Sequence, residues 1–182
     1  MILIVDMNYK KDSLGFDEFV LPLISIAEKL DNCVVKHFSE ITPDELRSCD
    51  KAVLSGTSLQ DHETLRQVEK FNWVKIWGKP ILGICAGMQV ISAVYGGSIV
   101  PCPVIGLEKI EIVKDSPLLG ESRCIEGYHL HNYAVTLPEG FMLLAGSIDA
   151  VEAFSHRSNP TYGIVFHPEV RSRWILERFA NL

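Results

Sequence analysis

The stretch Pro80-Ile-Leu-Gly-Ile-Cys85-Ala-Gly-Met-Gln89 joins a short apolar run to the start of a helical pattern. The apolar run at residues 80–84 is too short for a helix, which predicts a strand buried on both faces. After Cys85, apolar side chains recur at helical spacing until Gly96-Gly97 ends the pattern. A strand, a sharp turn and a helix therefore meet at a cysteine.

The same alternation of strand and helix is repeated on the N-terminal side of this stretch. It predicts strands at residues 2–5, 33–35 and 51–54, and helices at 16–30, from 42 and at 59–73. From residue 98 to about 148 the pattern becomes β-like, and strands at 151–154 and 162–166 and a helix at 173–180 follow. These units predict an α/β fold, a three-layer α/β/α sandwich with a mixed, mainly parallel central sheet. In such a fold the ligand site lies at the carboxyl ends of the parallel strands.

Length and composition limit the classes of protein. A chain of 182 residues predicts one domain, residues 1–182. The 17 Lys and Arg against 23 Asp and Glu give a net charge of −6, which argues against nucleic acid as a partner. No apolar stretch reaches the roughly 20 residues of a membrane helix, and residues 1–6 lack the pattern of a signal peptide. Five cysteines without a C-x-x-C pair favour a reducing cytoplasm over a disulfide framework or a zinc ribbon.

Residues 83–87, Gly-Ile-Cys-Ala-Gly, have the form G-x-C-x-G, the thiol counterpart of the nucleophile elbow of serine hydrolases. Glycines on either side of a strained turn remove side chains that would collide there. We expect the sulfur of Cys85 to be exposed above the sheet, where the N terminus of the following helix stabilises a thiolate and the Ala86 N–H donates to an oxyanion. The remaining cysteines are interpreted as ordinary free thiols.

A cysteine nucleophile needs a base, and the base needs an orienting group. Residues 163–169, Gly-Ile-Val-Phe-His-Pro-Glu, supply both: an apolar strand brings His167 to its carboxyl end, and Glu169 lies two residues further on. The imidazole of His167 would face the thiol while the Glu169 carboxylate fixes its tautomer. For His129 and His131 we expect one side chain on each face of a strand; with no third ligand in view, no metal site is predicted.

The two motifs, Gly83 to Gln89 and Gly163 to Glu169, together resemble the paired signature of the class I, or triad, glutamine amidotransferases, which have a flavodoxin-like fold. Residues 53–56, Val-Leu-Ser-Gly, are similar to the oxyanion strand of that family. Residues 151–163 resemble the approach to the last motif in the separate glutaminase subunit of GMP synthase. The segment Tyr128 to Tyr133 is as similar to the glutaminase subunit of imidazole glycerol phosphate synthase.

The resemblance implies an enzyme that hydrolyses L-glutamine through a γ-glutamyl thioester and passes ammonia to a partner synthetase, without a cofactor. Cys85 would attack the amide, with His167 and Glu169 completing the triad. The N–H groups of Gly56 and Ala86 would bind the oxyanion, and Gln89 and His131 would contact the substrate. No phosphate-binding loop is present, so the synthetase would be another chain.

Departures from the family pattern keep two alternatives open. The family usually carries Gly-Gly after the strand serine, whereas Gly56 is followed by Thr57 and Ser58, so the oxyanion loop is expected to need a partner to form. Of the Ser-His-x-Asp segment of the GMP synthase branch, only His131 is present. The alternatives are a stand-alone cysteine hydrolase of γ-glutamyl amides and a non-catalytic binding module on the same scaffold.

Overall fold

Apolar strands form the centre of the computed structural model, which describes residues 1–182. Every residue of the first, third and fourth strands is buried, as expected for strands with helices on both faces. The strands are β1 Ile2–Asp6, β2 Cys33–His37, β3 Lys51–Leu54, β4 Ile81–Ile84, β5 Ile99–Ile112, β6 Arg123–Val135, β7 Phe141–Gly146, β8 Val151–His156 and β9 Thr161–Ile164.

The nine strands form one sheet in the order β2-β1-β3-β4-β9-β8-β7-β5-β6. Five of them, β2, β1, β3, β4 and β9, run parallel to one another. The other four pair antiparallel with their neighbours. The sheet is therefore mixed, as the change of pattern after residue 98 predicts.

The helices are α1 Leu21–Ala27, α2 Pro43–Ser48, α3 Glu63–Arg66, α4 Ala86–Val94 and α5 Trp174–Ala180, with a π-helical turn at Phe16–Val20 and 3₁₀ turns at Phe38–Glu40 and Val68–Lys75. The prediction of one helix over residues 59–73 is wrong, because an α-helix covers only four of these residues. In the 3₁₀ segment the two buried side chains, Phe71 and Val74, are three residues apart. That spacing fits a helix with three residues per turn.

Helices cover both faces of the parallel part of the sheet. On one face, α1 and α5 pack together over Ile4 and Val53. On the other face, α4 packs against β3, β4 and β9. Buried hydrophobic side chains from both halves of the chain form a single cluster of 42 residues. This gives the three predicted layers, and no helix has the length and apolar character needed to cross a membrane.

The register of the central strands determines where the site lies. Leu54 of β3 pairs with Gly83 of β4, which pairs with Gly163 of β9. The segments that follow these three strands therefore leave the sheet at the same edge. They contain Gly56, Cys85 and His167 in that order.

The long β5–β6 hairpin returns to this edge from the far end of the sheet. A register shift between Pro101 and Val104 interrupts its pairing, as a bulge that increases curvature does. The backbone N–H of His167 donates to the carbonyl of Tyr128 in β6 at 2.8 Å. The last strand in the sheet order thus lies over the carboxyl end of β9.

Candidate active site

Cys85 occupies the turn between β4 and α4 in a strained backbone conformation. Its φ of 49° and ψ of −102° lie outside the regions that a non-glycine residue readily adopts. Two backbone hydrogen bonds hold the turn: Cys85 N–H donates to Ile164 O at 2.8 Å, and Gln89 N–H donates to Cys85 O at 3.0 Å. The turn therefore fixes the cysteine at the N terminus of α4.

The two glycines that flank the cysteine allow β3, β4 and α4 to approach closely. A Cβ atom on Gly83 would lie 2.5 Å from the carbonyl carbon of Gly87. A Cβ atom on Gly87 would lie 2.5 Å from the carbonyl oxygen of Leu54. Both distances are too short for non-bonded atoms, so the G-x-C-x-G spacing is a packing requirement as well as a turn requirement.

His167 and Glu169 form a buried pair beyond the end of β9. The Nδ1 atom of His167 lies 2.7 Å from Oε1 of Glu169, and the two residues are 1% and 2% exposed. Burial lowers the pKa of His167, but the negative charge of Glu169, the nearness of Cys85 and the hydrogen bond to Glu169 outweigh it and raise the pKa to about 10. The environment thus favours the imidazolium, with Nε2 free of regular hydrogen bonds.

Gly56 packs directly against the imidazole of His167. A Cβ atom on Gly56 would lie 2.6 Å from Cε1 of that ring. The N–H of Gly56 donates to no acceptor in the protein. Ala86 is the first residue of α4, so its N–H has no acceptor within the helix. The site therefore offers two free N–H groups, which are the predicted oxyanion donors.

The sulfur of Cys85 is not exposed above the sheet, contrary to expectation. The residue is 4% exposed, and its thiol contacts the carbonyl oxygen of Leu130 at 3.7 Å. Leu130 belongs to β6, which is far from β4 in the sheet order. The elbow alone would leave the sulfur open, and the curled hairpin covers it.

A small cavity of about 20 Å³ adjoins the sulfur. Gln89 lies in its wall, 7% exposed, and its side-chain Nε2 donates to the carbonyl of Tyr133 at 3.0 Å. His131 is 4% exposed and also lies in the wall. The lining comes from the loop after β3, from the start of α4 and from β6: Thr57, Ser58, Leu59, Asp61, His62, Cys85, Ala86, Gln89, Leu130, His131, Asn132 and Tyr133.

A family model described as glutamine amidotransferase class-I matches residues 24–176. The chain belongs to the class-I glutamine amidotransferases. The predicted family and fold class are confirmed, and the protein is an enzyme of the amidotransferase type.

Individual relatives place the enzyme within that family. The glutamine-hydrolyzing GMP synthase subunit of Sulfolobus acidocaldarius is 35% identical over 144 residues, 72% of this chain and 75% of the relative. The subunit of the same name from Methanothrix thermoacetophila is 31% identical over 77% of this chain and 78% of the relative. These relatives confirm the predicted resemblance to the GMP synthase branch.

Solved structures agree with this placement. The crystal structure of a protein described as a GMP synthase subunit from Thermoplasma acidophilum superposes with a TM-score of 0.84 and 27% identity, over 99% of this chain and 92% of that one. A glutamine amidotransferase from Thermotoga maritima superposes with a TM-score of 0.71, over 99% of this chain and 80% of that one. At 20% identity the second structure supports the fold alone.

The prediction for the two histidines of β6 is wrong. His129 and His131 point to the same face, because side chains two residues apart on a strand share a face. Both are buried, and Nδ1 of His129 lies 3.0 Å from Nε2 of His131. No group of three or more His, Cys, Asp or Glu side chains is placed to hold a metal ion. In this amidotransferase the pair is therefore a buried polar contact beside the cavity.

Sequence reasoning also missed Glu152. One of its carboxylate oxygens, Oε2, lies 3.5 Å from Nε2 of His129, and its side chain is 25% exposed. Burial, together with the charge of Glu108, raises the pKa of Glu152 to about 7. The alternation of side chains along residues 151–154 places Glu152 on the other face of the strand from the buried Val151 and Ala153. No local sequence signal identifies the partner of Glu152 on β6.

Proposed function

We propose that the enzyme hydrolyses L-glutamine to glutamate and ammonia with Cys85 as the nucleophile, and that it supplies the ammonia to a partner synthetase, that of GMP synthase. The observation that carries the proposal is the buried His167–Glu169 pair beside a cysteine held on a strained turn at a helix N terminus. The names of the relatives support the choice of substrate and of synthetase.

In the first half of the reaction the sulfur of Cys85 attacks the side-chain amide carbon of glutamine. His167 takes the proton of the thiol, and the charge of Glu169 stabilises the imidazolium that forms. Negative charge develops on the amide oxygen, and the N–H groups of Gly56 and Ala86 are the available donors for it. His167 then gives its proton to the departing nitrogen as the carbon–nitrogen bond breaks, which leaves a γ-glutamyl thioester on Cys85.

In the second half the same groups act in reverse order. Neutral His167 takes a proton from water as the water oxygen attacks the thioester carbon. The carbon–sulfur bond breaks, glutamate forms, and His167 returns a proton to the sulfur of Cys85. Gln89 and His131, which lie in the cavity wall, are the proposed contacts of the bound glutamine.

The small size of the cavity is the reason for proposing that a partner controls this reaction. The loop after β3 is tied to β6 by a hydrogen bond from Asn132 Nδ2 to Leu59 O at 3.1 Å. The rings of His62 and Tyr133 also meet edge to face, with centroids 5.2 Å apart. With Cys85 only 4% exposed, glutamine reaches the sulfur only when these contacts open transiently, so the isolated chain hydrolyses glutamine slowly. Docking of a synthetase favours the open state and stimulates the reaction.

We propose residues 1–182 as one functional domain, on the evidence of its single hydrophobic cluster. We also propose the cytoplasm as its location, because all five cysteines are free thiols that an oxidising compartment would threaten.

Labelling with an electrophilic glutamine analogue tests the proposal. We expect a covalent adduct on Cys85, detected by mass spectrometry of peptides, and no adduct when free glutamine competes. Cys124 is exposed and serves as the internal control for nonspecific alkylation. An adduct only on Cys124, or none at all, would refute the proposal and favour a non-catalytic module. Full glutamine turnover without a synthetase would favour a stand-alone hydrolase.

A further inference from the structure

A row of three buried polar side chains leads away from the cavity and has no role in the triad. It consists of His131, His129 and Glu152, which we name the inner chain. His131 lines the cavity, its Nε2 meets His129 Nδ1 at 3.0 Å, and His129 Nε2 lies 3.5 Å from Glu152 Oε2. His129 is 1% exposed. The contact between the two histidines is within hydrogen-bond distance, and the contact with Glu152 is at the limit of that range.

The inner chain leaves several polar atoms without partners. His131 Nδ1, His129 Nε2 and Glu152 Oε2 are buried and form no regular hydrogen bond. A buried polar atom without a partner lowers the stability of the fold, so three of them in one row need a functional explanation. Apolar side chains of similar volume would fill the same space at lower cost.

The chemistry of the proposed function supplies such an explanation. Hydrolysis of the amide adds water and yields a carboxylate, ammonia and one proton: RCONH₂ + H₂O → RCOO⁻ + NH₃ + H⁺. Ammonia must leave unprotonated to attack an acceptor, since its lone pair is the nucleophile. One proton per turnover therefore remains in the site. Cys85, His167 and Glu169 are at most 4% exposed, so none of the three side chains meets bulk water directly in this structure.

We infer that the inner chain carries this proton from the cavity to solvent, with His131 as the entry and Glu152 as the exit. The inference rests on the proposed function. A proton arriving at His131 Nδ1 is passed on by release of the Nε2 proton to His129 Nδ1, and His129 releases its Nε2 proton to Glu152. Each imidazole accepts at one nitrogen and donates at the other, so no atom moves between the residues except hydrogen.

The ends of the inner chain suit these two roles. Glu152 spans the boundary, because its Oε2 is buried against His129 while its side chain is 25% exposed. Its pKa of about 7 lets it both accept and release a proton near neutral pH. Burial, followed by the charges of His131 and His167, lowers the pKa of His129 to about 4, so His129 does not trap the proton.

Charged groups around the inner chain favour outward movement. The charge of His167 acts on His129 and His131 and disfavours a second positive charge near the cavity. At the outer end, burial and then the charge of Glu108 on β5 raise the pKa of Glu152 and so strengthen it as a proton acceptor. Phe166 also packs against His129, with ring centroids 6.1 Å apart, and carries no charge.

Glutamine hydrolysis by the Glu152→Gln variant tests the inference. We expect kcat to fall tenfold or more in a low concentration of a bulky buffer, with KM unchanged. Added imidazole, which can carry a proton through the gap, should restore kcat in a saturable manner. The matched control is Glu111→Gln, which removes an exposed carboxylate on β5 that is not part of the inner chain. This variant should keep the wild-type kcat and show no response to imidazole.

The outcomes separate the inference from the proposed function. A Glu152→Gln enzyme with wild-type kcat in weak buffer would overturn the relay and leave glutamine hydrolysis intact. A slow variant that imidazole fails to rescue would also overturn it, since that is the behaviour of a structural defect. A wild-type chain that hydrolyses no glutamine and forms no Cys85 adduct would remove the proposed function, and the relay with it.

Discussion

Replacing Gly56 by alanine should damage the site through one added methyl group. The new Cβ would lie 2.6 Å from His167 Cε1, whereas carbon atoms in contact prefer about 3.5–4.0 Å. The imidazole must therefore retreat by about 1 Å, a displacement that costs roughly 10²-fold in rate when it affects a reacting group. Because the variant keeps the backbone N–H of residue 56, a fall in kcat would reflect the displaced imidazole ring of His167.

The same substitution should also lower stability, because overpacking a core costs about 1–3 kcal/mol. For a domain of this size that corresponds to a fall in Tm of about 2–12 °C. The control is Gly97→Ala, whose Cβ would lie 2.2 Å from Ser92 Oγ at the far end of α4. We expect Gly97→Ala to lose stability but to keep kcat, and Gly56→Ala to lose both.

Glutamate release from glutamine, measured at a temperature where both variants are folded, is the assay for this comparison. A Gly56→Ala enzyme with wild-type kcat would show that the ring of His167 is not in the catalytic position. Equal losses of kcat in Gly56→Ala and Gly97→Ala would attribute the effect to general destabilisation.

Three further predictions use the same measurements. Cys85→Ala should abolish glutamine hydrolysis and keep the wild-type circular dichroism spectrum, because the alanine side chain lacks only the sulfur; residual turnover would contradict the assignment. The pKa of His167 is raised from 6.5 to about 10, so its pairing with Glu169 stabilises the fold fully below pH 6.5 and loses its effect as the pH rises through 10. The difference in Tm between the wild type and Glu169→Gln should therefore narrow across that range, and a constant difference would refute the pairing. His62→Ala and Asn132→Ala each remove a contact worth about 1 kcal/mol between the loop after β3 and β6. Each variant should therefore increase the rate at which a small neutral reagent alkylates Cys85 by about fivefold. Unchanged alkylation rates would show that these contacts do not close the cavity.

Local patterns were sufficient to predict the elements that position the site. Strand β3 runs over the predicted residues 51–54, and α2 begins at Pro43 with Thr42 as its N-cap, as the helix predicted from residue 42 requires. The elbow follows from glycine spacing, which local sterics determine. The pairing of His167 with Glu169 was also accessible, since the two residues lie on one tight turn.

Non-local contacts were not accessible from the sequence. The cover that β6 places over Cys85 depends on the curl of the whole sheet, and Leu130 is 45 residues away from the cysteine in the chain. The same reason explains why Glu152 was missed, because its partner His129 lies on a strand that does not pair with β8. The error over the two histidines of β6 has a different origin, because residues two apart on a strand share a face and the local pattern alone determines this.

A crystal structure of the adduct between Cys85 and an electrophilic glutamine analogue tests the proposed catalytic site most directly. We predict that the oxygen derived from the amide lies about 3 Å from the N–H groups of Gly56 and Ala86, with His167 Nε2 facing the position of the leaving nitrogen. An adduct whose oxygen points to solvent, or whose reacting carbon is out of reach of the imidazole, would contradict the assignment of these residues as one catalytic unit.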